Sequence, residues 1–268
     1  MTPTTAAPLL SAEEISTFNR EGYLLYKKPV FPQEKFDKLK THFDYKLANL
    51  DPSCRPECMD VPHFTDPALF QWLLADEVLD LVEPFLGPDI CLFSSHFICK
   101  PKGDGRRVPW HEDSYYWKGM MDPVEVVTVW LAIDESTPVN GCMYVIPKTH
   151  DNGYSDYDAV DTTKNVFPIE IVKNQRDESK AVPCILSPNE ASLHEGRLMH
   201  GSEPNTSNMR RCGYTMRYTS TKVKHHPNGY HQVYLARGRD HAGNTYADPG
   251  KEYKELAHVR QSHGKAGH

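Results

Sequence analysis

Val124-Glu-Val-Val-Thr-Val-Trp-Leu-Ala-Ile133 is the stretch on which the fold class turns. It is dense in β-branched residues and bounded by Asp122-Pro123 and Asp134-Glu135, so it reads as a strand. Working outward, Ile90 to Cys99 reads as another strand, after Gly87-Pro88. Asn140-Gly141 signals a hairpin turn into Cys142–Ile146. Strands are expected again at 181–186, around 191–200 and at Arg211–Thr219. Residues 150–180 form a polar excursion, too long for an ordinary connection and so a candidate lid.

Upstream the texture is helical. Ser11 with Glu14 makes a capping box for a helix running to about Glu21, where Gly22 stops it. Tyr23-Leu24-Leu25-Tyr26 reads as a short strand. Pro32 opens a second helix with Phe36, Leu39, Phe43 and Leu47 at helical spacing, and Asp66-Pro67 a third through Leu69, Trp72, Leu73, Leu79 and Phe85. Front helices followed by many short strands predict a mainly β, double-sheet jelly roll carrying N-terminal flanking helices. The expected organisation is a loose leader over 1–10 and one domain over 11–268. Within that domain, helical support occupies about 11–87 and the jelly-roll core about 88–240.

The 268 residues carry a net charge of −6, which does not favour nucleic acid as a partner. Seven cysteines, an odd number without a CxxC pair, fit a reduced, cytoplasmic chain better than a disulfide scaffold. No apolar run reaches the ~18–20 residues of a membrane span, and Lys265-Ala-Gly-His268 is not a peroxisomal address. A monomer or homodimer acting on a small molecule is the expectation.

The chemistry centres on His111-Glu112-Asp113, His200 and Arg211. On extended chain, residues two apart point to one side, so His111 and Asp113 can share a metal. A second histidine from a distant strand completes the two-histidine, one-carboxylate set that holds Fe(II) with positions left open. His200 and His194 are rivals for that third place, and spacing favours neither. His63, His96 and His150 qualify by residue type alone. Arg211 opens a strand on which 211, 213, 215 and 217 share one face. A guanidinium there suits a carboxylate bidentately. Arg217 on the same face could pair internally or meet a substrate anion, whereas Arg210 has the opposite parity and is expected in solvent.

These residues carry a family resemblance. His111-Glu-Asp-Ser-Tyr-Tyr-Trp117, Thr128-Val-Trp-Leu-Ala-Ile-Asp134, Asn140-Gly-Cys142, Pro147-Lys-Thr-His150 and His200-Gly-Ser-Glu-Pro-Asn205 with Arg211 resemble the phytanoyl-CoA dioxygenase family. The likeness runs from about 11 to 240. It implies a double-stranded β-helix, of cupin-like type, that uses Fe(II), 2-oxoglutarate and O2. By the same resemblance His111, Asp113 and His200 match the metal ligands, and Arg211 matches the arginine on the 5-carboxylate of 2-oxoglutarate. Ser202 matches a hydroxyl beside that carboxylate, Trp130 an aromatic lining the co-substrate pocket, and His96 a further pocket residue. Glu112 stands where many members have Gln. Asp113 is kept where the halogenases of the superfamily have Gly or Ala, which argues for oxygenation.

The implied reaction is hydroxylation of an unactivated C–H of a small metabolite, with release of succinate and CO2. Desaturation or cyclisation on the same site, an acyl-CoA substrate, a zinc site, a protein hydroxylase and a non-catalytic barrel are the other readings. Tyr115, Tyr116, Trp117 and Arg217 are the expected substrate contacts.

Overall fold

The computed structural model describes residues 9–226 and 232–254. Residues 1–8 of the expected leader and the segment Lys265–His268 lie outside the described residues, whereas Leu10 is buried in the main core. α1 (Ala12–Glu21) opens with both halves of the capping box: Glu14 N–H donates to Ser11 Oγ at 3.2 Å and Ser11 N–H to Glu14 Oε2 at 2.7 Å. β1 (Tyr23–Tyr26), α2 (Gln33–Ala48) and β2 (Met59–Asp60) follow.

The expected third helix is broken into a short turn, α3 (Phe70–Leu73) and α4 (Asp76–Leu86). Ala75 is extended there, at φ −74° and ψ 138°. Its carbonyl accepts from Val78 and Leu79, while Asp76 and Glu77 put negative charge at the dipole of a fresh helix start.

The strands are β3 (Ile90–Lys100), β4 (Val108–His111), β5 (Met121–Asp122), β6 (Val127–Ala132), β7 (Met143–Val145), β8 (Tyr157–Ala159), β9 (Ile169–Ile171), β10 (Val182–Pro183), β11 (Ala191–Glu195), β12 (His200–Ser202), β13 (Arg211–Ser220), β14 (Lys224–His225) and β15 (Tyr234–Arg237), with α5 (Asp113–Tyr116) after β4. Among the described residues a seven-stranded sheet has the order β1-β11-β6-β13-β3-β15, with β2 on β3. A four-stranded sheet runs β10-β7-β12-β4. The named pairings are antiparallel, as a jelly roll requires.

The larger sheet is two-faced. Cys212, Tyr214 and Met216 of β13, Val129 and Leu131 of β6 and Leu193 of β11 share one core with Phe18, Leu39, Phe43 and Leu79 of the helices. The alternate positions look into the space between the sheets. Residues directly opposite across a ladder share a face, so Arg211 lies beside Lys100, Gly213 beside Ile98, and Thr215 between His96 and Trp130. Arg217 lies beside Thr128, which in turn faces His194.

Three sequence expectations change. Asn140-Gly141 makes no hairpin: β6 pairs with β11 and β13, and β7 belongs to the other sheet. The Asn140 side chain instead caps a turn, accepting from Thr137 N–H at 2.8 Å and donating to Glu135 O at 2.9 Å. Gly141 then takes the left-handed conformation that carries the chain across. The strand expected around 191–200 is two strands, β11 and β12, in different sheets, so the shared parity of His194 and His200 has no meaning. Arg210 is held rather than solvated, donating to Asp134 at 2.7 and 2.8 Å and to Asp44 at 2.7 Å. No helix among the described residues is long and apolar enough to cross a membrane.

Leu131 is fully buried on the helix-covered face. Leu131→Ala is expected to cost about 2–5 kcal/mol, read as a lowered urea midpoint; a variant as stable as the parent would contradict the two-faced sheet.

Candidate metal and co-substrate site

His111 ends β4, His200 begins β12, and the two strands pair with these residues directly opposite, ring centroids 4.1 Å apart. His111 Nδ1 lies 2.8 Å from Pro109 O and His200 Nδ1 lies 2.9 Å from Leu198 O. A carbonyl only accepts, so both Nδ1 atoms carry the proton and both Nε2 lone pairs are bare. Metal-binding histidines are oriented in this way.

Asp113 is not on the strand, as the spacing suggested, but is the first residue of α5. Glu112 between them is extended, at φ −115° and ψ 127°, so Asp113 still returns to the side of His111. One donor atom from each of His111, Asp113 and His200 lies within 4.8 Å of the others, and all three side chains are buried. Burial opposes the charge on Asp113, but the Arg217 guanidinium and the neighbouring imidazoles hold its carboxyl well below the usual range. Burial, with His111 and His194 alongside, pushes His200 well below the usual imidazole value. An ionised carboxylate and a neutral imidazole are the donor forms a metal takes.

Glu112 points the other way, into the 150–180 segment. Its Oε1 accepts from Ser155 N–H at 2.7 Å, and its own N–H donates to Tyr157 Oη at 3.1 Å. Burial pushes its carboxyl up. On the same side Glu170 of β9 accepts from Trp110 N–H at 3.1 Å and pairs with Arg107 at 2.6 Å. The candidate lid is therefore an ordered β8–β9 hairpin bonded to the strand that carries His111. It sends Phe167 into the cavity, edge-on to the His111 ring at 5.0 Å.

Arg211 is 1% exposed and has no carboxylate partner among the described residues. Its Nε and Nη2 donate to Gly141 O at 3.1 and 2.8 Å, and Nη2 lies 3.4 Å from Ser202 Oγ. The guanidinium carbon sits 5.4 Å from the centre of the Trp130 ring. Trp130 fits because Gly213 has no side chain: a Cβ there would come within 2.0 Å of the indole. Lys100 is also fully buried, donating to the carbonyls of Ser202, at 3.3 Å, and Glu203. Burial and the Arg211 charge push its ammonium well down.

Other expected residues fall in two groups. His194 lines the cavity, its Nε2 3.9 Å from Asp113 Oδ2, and Arg217 Nε donates to that same oxygen at 3.3 Å. Trp117 packs edge-on against Phe93 at 4.9 Å in a separate cluster, and Tyr115 against Tyr157 at 4.0 Å. Tyr116 is closer, its ring 6.2 Å from that of His111. His96 turns to Glu57 O at 2.8 Å, and His150 to Asn19 O at 3.3 Å. His63 is 2.7 Å from Ser95 Oγ. Sequence reasoning missed Phe167, Met143, Thr215 and Lys100. Thr215 and Lys100 could have been found by strand parity with Arg211 and His96; Phe167 carried no signal.

Two facing antiparallel sheets with a buried two-histidine, one-carboxylate cluster between them are the architecture of cupin-like oxygenases. The family model for phytanoyl-CoA dioxygenase matches residues 8–213, and the chain belongs to that family. It is 30% identical over 160 residues to a probable alpha-ketoglutarate-dependent hypophosphite dioxygenase of Stutzerimonas stutzeri, covering 56% of this chain and 52% of that protein. It is 28% identical over 144 residues to human peroxisomal phytanoyl-CoA dioxygenase, covering 52% of this chain and 42% of that one. The matched stretch thus spans about half the length of these relatives. Two solved structures share the fold. The non-heme monooxygenase ThoJ superposes with a TM-score of 0.72 at 21% identity, covering 94% and 95% of the two chains. EctD from S. alaskensis does so with 0.68 at 22%, covering 83% and 81%.

His200→Ala should weaken Co(II) binding, followed by calorimetry, by more than the ~10–100-fold that loss of an outer partner costs, whereas His194→Gln should keep most of it. Equal loss from both would reverse the choice of third ligand. Gly213→Ala should displace Trp130, seen as a changed tryptophan emission, and weaken 2-oxoglutarate binding; an unaltered emission would show that the ring is not confined.

Proposed function

We propose that this chain is an Fe(II)- and 2-oxoglutarate-dependent oxygenase that hydroxylates a C–H of a small polar or anionic metabolite. The observation that carries the reading is the convergence of two carbonyl-pinned histidines and a buried carboxylate with Arg211, a buried cation that has no carboxylate of its own. A zinc site would leave Arg211 unexplained, and burying an unpaired guanidinium is costly.

His111, Asp113 and His200 would hold the iron. When bound, Fe(II) with 2-oxoglutarate and O2 supplies the oxidant: one oxygen atom enters the substrate C–H as hydroxyl, the other enters succinate, and CO2 leaves. The protein's residues do the positioning. Arg211 and Ser202 would hold the distal carboxylate of 2-oxoglutarate, and Trp130 would flank it. Phe167, held by the bonded hairpin behind it, would narrow the cavity beside His111. The helices and both sheets act as one catalytic unit, because the helices cover the outer face of the sheet whose inner face lines the site.

The interior supports a small substrate over a long acyl-CoA. The enclosed space among His111, His200, Arg211 and Arg217 is about 40 Å³, far below the ~300–1,000 Å³ usual for ligand sites. Of Lys222, Lys224 and Arg237, the basic residues the sequence offers to a CoA tail, the last two are engaged elsewhere. Arg237 is paired with Asp76, Asp80 and Glu83, and Lys224 donates to Ala242 O and Gly243 O. Of the two relatives, one is named for hypophosphite and the other for an acyl-CoA; this cavity suits the first class.

Arg211→Lys loses the planar fork and should raise the apparent KM for 2-oxoglutarate roughly tenfold or more, the worth of a charge-assisted contact, measured by succinate release with Fe(II). The reading of Arg211 fails if that constant is unchanged and Arg217→Lys shows the rise instead.

A further inference from the structure

We infer that Arg217, Thr128 and His194 form a substrate subsite for a small singly charged oxyanion, a carboxylate or a phosphorus oxyanion, beside the proposed metal position. The inference rests on the oxygenase reading above. The ladder register puts the three residues in one transverse row, Arg217 opposite Thr128 and Thr128 opposite His194, on the inner face of the larger sheet. Arg217 and His194 both line the cavity, together with Asp113.

Two of the three side chains carry polar atoms that find no partner among the described residues. Thr128 is 0% exposed and His194 1%, yet Thr128 Oγ1 and both ring nitrogens of His194 have no hydrogen-bond partner among the described residues. The 3.9 Å from His194 Nε2 to Asp113 Oδ2 is too long for a hydrogen bond. Arg217 spends only its Nε, on Asp113. Its guanidinium lies 5.5 Å from the centre of the Trp117 ring, and Nε to Asp113 is its one hydrogen bond among the described residues. Buried polar groups in native proteins are paired with protein, water or ligand. A guanidinium, a hydroxyl and an imidazole in one row offer several donors to one small acceptor group.

Charge points the same way. A divalent cation with Arg211 and Arg217 exceeds Asp113 and doubly charged 2-oxoglutarate by at least one positive charge, and Lys100, buried beside Arg211, adds another whenever it is protonated. The nearby Glu57 is already matched by Arg55, at 2.8 Å. A buried surplus charge is costly unless a partner neutralises it, and a monoanionic substrate does so. The carboxylate or phosphorus oxyanion would sit on Arg217 and His194, leaving its neighbouring C–H or P–H to face the metal position.

The test uses the full chain under anaerobic conditions with excess Fe(II) and 2-oxoglutarate, so that the Arg211 end is filled. Calorimetric titration with butyrate, hypophosphite, butyramide and dodecanoyl-CoA then reads binding without turnover. Butyrate or hypophosphite should bind at least roughly tenfold tighter than neutral butyramide, and His194→Gln and Arg217→Lys should each weaken it by roughly ten- to a hundredfold, the worth of a hydrogen bond to a charged group. The two anions distinguish a carboxylate from a phosphorus site. Thermal melting and the affinity for 2-oxoglutarate report whether each variant is folded. Butyramide binding as well as the anions, tight binding of dodecanoyl-CoA alone, no binding by any probe, or parent-like affinity in both variants overturns the subsite. Failure of 2-oxoglutarate itself to bind the parent protein overturns the oxygenase reading as well; if it binds and the anions do not, the subsite alone falls.

Discussion

Along β13 the side chains alternate between a layer covered by helices and a charged cavity, and the rest of the molecule is arranged around that period of two. Tyr214 and Met216 are buried among apolar groups, while Arg211, Thr215 and Arg217 face the opposite sheet. Neither set could exchange places with the other. A slip of one residue would put two guanidiniums among the phenylalanines of α1 and α2, at a cost far beyond the marginal stability of a domain. The helices are therefore part of the site's design, since they make one face of the sheet dry and leave the other free to be polar.

The smaller sheet supplies the complementary half. Its β4–β12 pairing sets His111 against His200, and each ring is fixed by the carbonyl two residues before it. The cluster so formed is electrostatically asymmetric. Asp113 is drawn toward Arg217 and His194 on one side and lies close to His111 on the other. Arg211, on the same strand as Arg217, meets carbonyls, a hydroxyl and the Trp130 ring. Two cations, Arg211 and Arg217, thus line the same cavity from one face of β13, along with His111, Asp113 and His200.

Much of this was legible in the chain. The capping box at Ser11, the helical spacing of Phe36, Leu39 and Phe43, and the β-branched run before Ile133 report local preferences, and local preferences survive folding. Where the reading failed, a tertiary contact had overruled the local signal. Asn140-Gly141 has hairpin chemistry, but the Asn140 side chain bonds to Thr137 and Glu135, and the chain changes sheets. Arg210 has the parity of a solvated residue, but Asp44 and Asp134 are brought to it from distant segments. Phe167 gave no signal at all, because the aromatics of that polar stretch, Tyr154, Tyr157 and Phe167, fall at no regular spacing.

The sequence by itself determined which residues could do chemistry: an HxD triplet, a distant histidine and an arginine on a strand, in an order that marks the family. It also determined that Arg211 and Arg217 share a face of one strand, because parity within a strand is a local property. Only the tertiary structure separated His200 from His194, since both lie beside Asp113 and they differ in what their other nitrogen meets. His200 has the carbonyl of Leu198 to fix its tautomer, and His194 has nothing. Strand register and the path of a carbonyl arise from contacts between segments far apart in the chain, and a linear pattern carries no record of them.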